Sequence, residues 1–118
     1  MTRLARFIAR LTRSRQSGLT GTAVVEAVEA ILDRQHRIER ESYDDKVGLA
    51  AVFAARRVLA ALPVGASGDD QLRQIVAAFE RLKKRQASNA GEFATGAATI
   101  GSILSDIERA FPQTRRFR

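Results

Sequence analysis

The sequence predicts an all-α protein, an antiparallel helical bundle of about four core helices preceded by a short basic amphipathic helix. Three observations carry that expectation. Apolar residues recur at helical spacing along most of the 118-residue chain, and no segment reads as a strand. Val47–Leu62 is apolar all the way round a helix, so it calls for cover from neighbouring helices. Pro63-Val64-Gly65-Ala66-Ser67-Gly68 is the clearest turn signal and sits between two helical stretches.

The elements follow in chain order. Leu4, Phe7, Ile8 and Leu11 keep the i, i+3, i+4, i+7 spacing of an amphipathic helix over residues 2–16, with Arg3, Arg6, Arg10 and Arg13 on another side. Ser17-Gly18-Leu19-Thr20-Gly21 breaks it. The next helix starts near Thr20 or Thr22, either of which can cap it. Thr20 as the cap would let Leu19 and Val24 form a hydrophobic staple. Val24, Val28, Ile31, Leu32 and Ile38 make its expected buried stripe, with Glu26, Glu29 and Asp33 opposite.

Ser42-Tyr43-Asp44-Asp45 is a weak break before Val47–Leu62, and Pro63 ends that helix because the residue before a proline disfavours helical geometry. Asp69 and Asp70 open a further helix with Leu72, Ile75, Val76, Phe79 and Leu82 inward. Asn89-Ala90-Gly91 is the second weak break. Phe93, Ala97, Ile100, Leu104, Ile107 and Phe111 mark the last helix, and Pro112 stops it. The apolar phase continues across both weak breaks. Two arrangements therefore compete: two long helices (about 22–62 and 70–111) in one hairpin, or a compact four-helix bundle, which is favoured because a lone hairpin would leave Val47–Leu62 uncovered. The expected organisation is a basic helix at 1–17, a bundle domain at 18–112 and a mobile basic tail at 113–118.

The formal charge of +7 is concentrated at the ends. Residues 1–25 hold five arginines and no acid, residues 26–108 are close to balanced, and residues 109–118 hold four arginines. An acidic partner is thus expected at Arg3, Arg6, Arg10, Arg13 and Arg15, at Arg115, Arg116 and Arg118, and at the helix-end cluster Lys83, Lys84 and Arg85. That cluster also suits the negative end of its own helix dipole. The absence of cysteine removes disulfides and thiolate chemistry and suits a reducing compartment. Cytoplasmic location is the expectation, with the mitochondrial matrix the alternative if residues 1–17 act as a targeting segment.

Arg56 falls in phase with Leu49, Val52 and Phe53 on the bulkiest side of the apolar helix. It needs an acidic partner there, inside the bundle or across an interface, unless it snorkels outward. Arg56, Val52 and Phe53 are accordingly the candidate interface or ion-pair residues. Asp33-x-x-His36 has the spacing of one half of a carboxylate di-iron site, but the chain has a single histidine, so a solvated helix surface is expected and no metal. Gly18-x-x-Gly21 lacks the strands of a nucleotide-clamping loop and the Gly-Lys-Ser/Thr ending of a phosphate loop. Gly91, Gly96 and Gly101 suit close helix contact. No nucleophile–base pattern or cofactor loop emerges. The expectation is a non-enzymatic interaction or assembly protein that meets a protein partner or itself, without cofactor or small-molecule substrate. Sequence-nonspecific nucleic-acid binding through the arginine-rich ends is the alternative, and association with an anionic membrane surface through residues 2–16 is the second.

Overall fold

Thr20 begins the first described helix, since its Oγ1 accepts a hydrogen bond from the Ala23 amide at 3.1 Å. The computed structural model describes residues 19–41, 46–88 and 94–117. They form α1 (Gly21–Glu41), α2 (Lys46–Ala61), α3 (Gly68–Ser88) and α4 (Ala94–Ala110), followed by a 3-10 helix over Pro112–Phe117. The basic helix expected at residues 1–17, the weak breaks at 42–45 and 89–91, and Phe93 of the expected last helix lie outside the described residues.

The compact arrangement is the one adopted. Asp33 of α1 and Arg56 of α2 bond at 2.7 Å. In one continuous helix, their separation of 23 residues would be about 34 Å. The chain therefore reverses between α1 and α2. It reverses again between α3 and α4, because a side chain at Gly96 would collide with Gln86. The closest packing is between α3 and α4, α2 packs about as closely on α4 as on α1, and α2 packs least against α3 despite the short turn that joins them.

The ends of α1 and α3 meet, which fixes how the hairpins sit. Ser67 Oγ accepts from the Asp70 amide at 3.4 Å, a long bond in the same capping position as that of Thr20. Thr20 and Ser67 pair as an isolated antiparallel bridge, and the Gly68 amide donates to the Leu19 carbonyl at 2.9 Å. Gly18-Leu19-Thr20-Gly21 and Gly65-Ala66-Ser67-Gly68 thus repeat one glycine–hydroxyl–glycine pattern at the start of each hairpin. Glycine is required at Gly21, where any Cβ would enter the Gly65 carbonyl, and at Gly68, where it would enter Leu19.

The core lies where all four helices meet. Ile31 and Leu32 of α1, Leu72, Ile75 and Phe79 of α3, and Ile100, Ile103, Leu104 and Ile107 of α4 are fully or almost fully buried. Burying each large side chain stabilises the fold by about 1.5–3 kcal/mol. From α2 the core receives mainly small residues: Gly48, Ala51 and Ala55, with Val52 and Leu59. This corrects the expectation that α2 is covered on every side. Its bulkiest face is not its buried face, because the small residues admit the neighbouring helices and leave Phe53 47% exposed.

Two more expectations change. Ile38 is 47% exposed, because the buried line of α1 runs through Val28, Leu32 and Gln35 to Glu39, placing a glutamate inward on the last turn. Residues 112–117 are a docked 3-10 helix instead of a loose tail. Thr114 is fully buried, its Oγ1 donates to the Phe111 carbonyl at 2.9 Å, and Phe117 packs against the core.

Candidate functional site

The outer face of the α1–α2 hairpin gathers chemistry that the core does not consume. Val25, Glu29 and Asp33 stand one turn apart on α1, with His36 continuing the row. Phe53, Arg56 and Ala60 make the facing row on α2, and Val64 extends it past the helix end. Between the rows lies a groove of about 490 Å³, floored by Leu32 and Leu59 and closed at one end by Leu62 and Val64.

An ion pair bounds the groove at the end opposite Val64. The Arg56 guanidinium donates to Asp33 Oδ1 at 2.7 Å, and the two side chains remain 36% and 46% exposed. Arg56 has thus found the acidic partner its position called for, at the groove surface and not in the core. Beyond the pair, His36 meets Phe53 edge-on, with ring centroids 5.5 Å apart at 83°. His36 is half-buried against this ring, where a solvated surface was expected. Val64, at the other end, is 60% exposed. Exposed Val64 at one end, the half-exposed ion pair at the other and exposed Phe53 one turn beyond it suit an amphipathic polypeptide segment that brings its own charges.

The candidate contacts for an acidic partner do not assemble into one patch. Lys83, Lys84 and Arg85 are consecutive, so they point in three directions about α3. The Lys83 stem lies against α4, its Cε 3.7 Å from where a Cβ on Gly101 would stand. Lys84 turns to a second groove, of about 680 Å³, shared with Arg115 and Phe117. Arg85 and Arg116 are exposed. In that second groove Arg115 donates to Glu108 at 2.8 Å, Glu80 sits on the same wall, and the Arg73 guanidinium stands 5.3 Å over the Phe117 ring. Val52, expected at an interface, is fully buried within α2. Arg3, Arg6, Arg10, Arg13, Arg15 and Arg118 lie outside the described residues.

Sequence reasoning missed the buried polar groups. Glu39 Oε1 accepts from Gln35 Nε2 at 2.8 Å and from the Thr99 hydroxyl at 3.2 Å, tying α1 to α4. Gln71 is fully buried. Its Nε2 donates to the Pro63 carbonyl at 3.2 Å and its Oε1 accepts from the Gly65 amide, so one side chain closes the α2–α3 turn. Asp106 receives Arg109 at 3.2 Å and Arg34 at 3.8 Å. Each of these groups has partners inside the fold and serves to hold it. Among the described residues no cluster of three or more metal-ligating side chains forms, and no helix is long and apolar enough to cross a membrane.

No family model, curated protein or solved structure matches this chain. The class that fold and site define is a small four-helix bundle with a surface groove.

Proposed function

We propose that this chain is a non-enzymatic interaction or assembly protein, a small subunit or adaptor, that engages a partner polypeptide or a second copy through the α1–α2 groove. The observation that supports this most strongly is a groove with exposed Val64 at one end and the half-exposed Arg56–Asp33 ion pair at the other, with exposed Phe53 one helical turn beyond Arg56. Large apolar side chains in a row on the outer face of a small bundle are a usual mark of contact surfaces. The buried polar residues are committed to internal hydrogen bonds, which directs attention to the surface.

The test is isolation of the tagged chain from its own cells, with Phe53→Asp and Val64→Asp compared with the parent. The proposal expects discrete bound polypeptide, or self-association that grows with concentration, lost in both variants while the circular dichroism spectrum is kept. A parent chain that stays monomeric and alone at high concentration refutes it.

Nucleic-acid binding has one specific observation in its favour, the convergence of Lys84, Arg115 and Arg73 beside Phe117. Glu80 and Glu108 interleave with these cations, and a mixed-sign groove repels phosphate as well as attracting it. The groove therefore favours a protein surface over a nucleic-acid backbone. Retention of DNA or RNA at low salt, with a salt slope that falls in Arg115→Ala, would reverse that order. Association with an anionic membrane rests on residues 2–16 alone, and vesicle flotation with and without them decides it.

A further inference from the structure

We infer that the α1–α2 groove takes a short segment of a partner polypeptide in which an aromatic residue stands beside arginine. This is the chemistry that the chain itself lays over the matching face of its second hairpin. The inference rests on the reading of the groove as a contact site and names the chemistry of its occupant.

The two hairpins are copies of one unit. Each opens on Gly-x-Thr/Ser-Gly, and each closes on alanine, a large apolar residue and proline, at Ala61-Leu62-Pro63 and Ala110-Phe111-Pro112. With Thr20 in register on Ser67, the buried Val24, Val28, Ile31, Leu32 and Gln35 of α1 fall on buried Gln71, Ile75, Ala78, Phe79 and Leu82 of α3. With Gly48 on Gly96, the buried Ala51, Val52, Ala55 and Leu59 of α2 fall on buried Thr99, Ile100, Ile103 and Ile107 of α4. The packing has the matching symmetry, since α1 lies against α4 about as closely as α3 lies against α2. Thr20 also pairs with its own counterpart Ser67 in an antiparallel bridge, as equivalent residues beside a two-fold axis do.

These registers make the two outer faces equivalent. Glu29, Asp33 and Ala60 of the first groove match Val76, Glu80 and Glu108 of the second. On the second hairpin the chain after Pro112 turns back over this face. The 3-10 helix packs on both α3 and α4, Phe117 lies in the groove with Val76, and Arg115 bonds Glu108. Leu72, Val76 and Leu104 are buried there. On the first hairpin the chain after Pro63 forms the turn into α3 and cannot fold back in the same way. The counterparts Val25, Glu29 and Arg56 accordingly stay partly or fully open. The first face lacks the cover that its copy carries.

Charge selects what can supply it. Where the second face has Arg73 and Val76, the first has exposed Glu26 and Glu29, and Asp33 keeps the place of Glu80. Arg56 thus stands against three carboxylates, so an occupant that brings cations is favoured. Val25, Leu62 and Val64 offer the apolar seat for one large side chain.

The test titrates a capped peptide with the sequence of residues 112–117, Pro-Gln-Thr-Arg-Arg-Phe, into the isotope-labelled full-length chain, to millimolar concentration and with backbone amide shifts as the readout. The inference expects saturable shifts at Val25, Glu29, Asp33 and Ala60. Alanine in place of the peptide's phenylalanine should weaken binding at least about tenfold, as loss of an aromatic anchor does. Glu29→Lys should weaken it about fivefold. Glu41→Lys makes the same charge change about 18 Å further along α1, beyond the screening length of about 8 Å, and should stay within about twofold of the parent. No shift at the four positions overturns the inference. Shifts confined to Val76, Ala77 and Glu80 overturn it too, because the peptide then only displaces the chain's own segment. Equal weakening by the two lysine variants does the same, since it shows charge attraction without a seat. If the peptide fails to bind while Phe53→Asp and Val64→Asp still lose the partner, the aromatic–arginine chemistry falls and the contact site stands. If the peptide binds as expected and the chain stays alone in its own cells, the chemistry stands and the contact role falls.

Discussion

Gln71→Leu should be among the most damaging substitutions that change almost no volume. The Gln71 amide is fully buried and bonds both the Pro63 carbonyl and the Gly65 amide. Leucine fills the same space but returns neither bond, and the turn then holds two backbone groups without their partner. Each unsatisfied buried group costs about 1–3 kcal/mol. Burying leucine in place of an amide recovers part of this, which leaves a net loss of about 2–4 kcal/mol. With a urea slope of about 1.5 kcal/mol per molar, the midpoint should fall by about 1.3–2.7 M with the slope unchanged. The assay is urea unfolding followed by far-UV circular dichroism, with exposed Gln74→Leu one turn on as the control, expected within about 0.5 kcal/mol of the parent. If Gln71→Leu also stays within that margin, the Gln71 bridge does not hold the α2–α3 turn.

Further substitutions and one truncation probe different parts of the fold. Gly21→Ala drives a Cβ into the Gly65 carbonyl and should lose about 2–3 kcal/mol, whereas Gly101→Ala meets only ordinary contact with Lys83 and should gain about 0.5–1 kcal/mol from helix propensity; thermal unfolding reads both. Arg56→Ala breaks a pair that is more than a third exposed on each side, so stability should fall by less than about 1 kcal/mol in a double-mutant cycle with Asp33→Ala. Removal of residues 113–118 takes away buried Thr114 and the Phe117 contacts and should cost about 2 kcal/mol in urea unfolding.

The helices themselves were legible because burial imposes a 3.6-residue period. Val24, Val28, Ile31 and Leu32, and the row from Leu72 to Leu82, could be read from spacing alone, and Thr20 could be read as a cap. What stayed hidden depends on neighbours distant in sequence. Glu39 and Gln71 lie inward only because Thr99 and the Pro63–Gly65 backbone satisfy them, and no local pattern records a partner on another segment. Phe53, a candidate interface residue by its place on the bulkiest face, could not be placed inside or outside the bundle from spacing, because α2 buries its glycine and alanines, whose smallness lets the helices approach. At the candidate groove, Arg56 pointed to an acidic partner, but only the fold could identify it as Asp33. The basic cluster at 83–85 looked like one patch in sequence and is split by helical geometry.

The contact role of the α1–α2 groove is tested most directly by a photoreactive phenylalanine analogue placed at position 53 in the full-length chain within its own cells, with the same analogue at exposed Ser102 on α4 as the reference. The account predicts a discrete polypeptide adduct at 53, either a partner or a second copy, that is absent at 102 and lost when Val64→Asp is added. Equal labelling at the two positions, or none at 53, would contradict it.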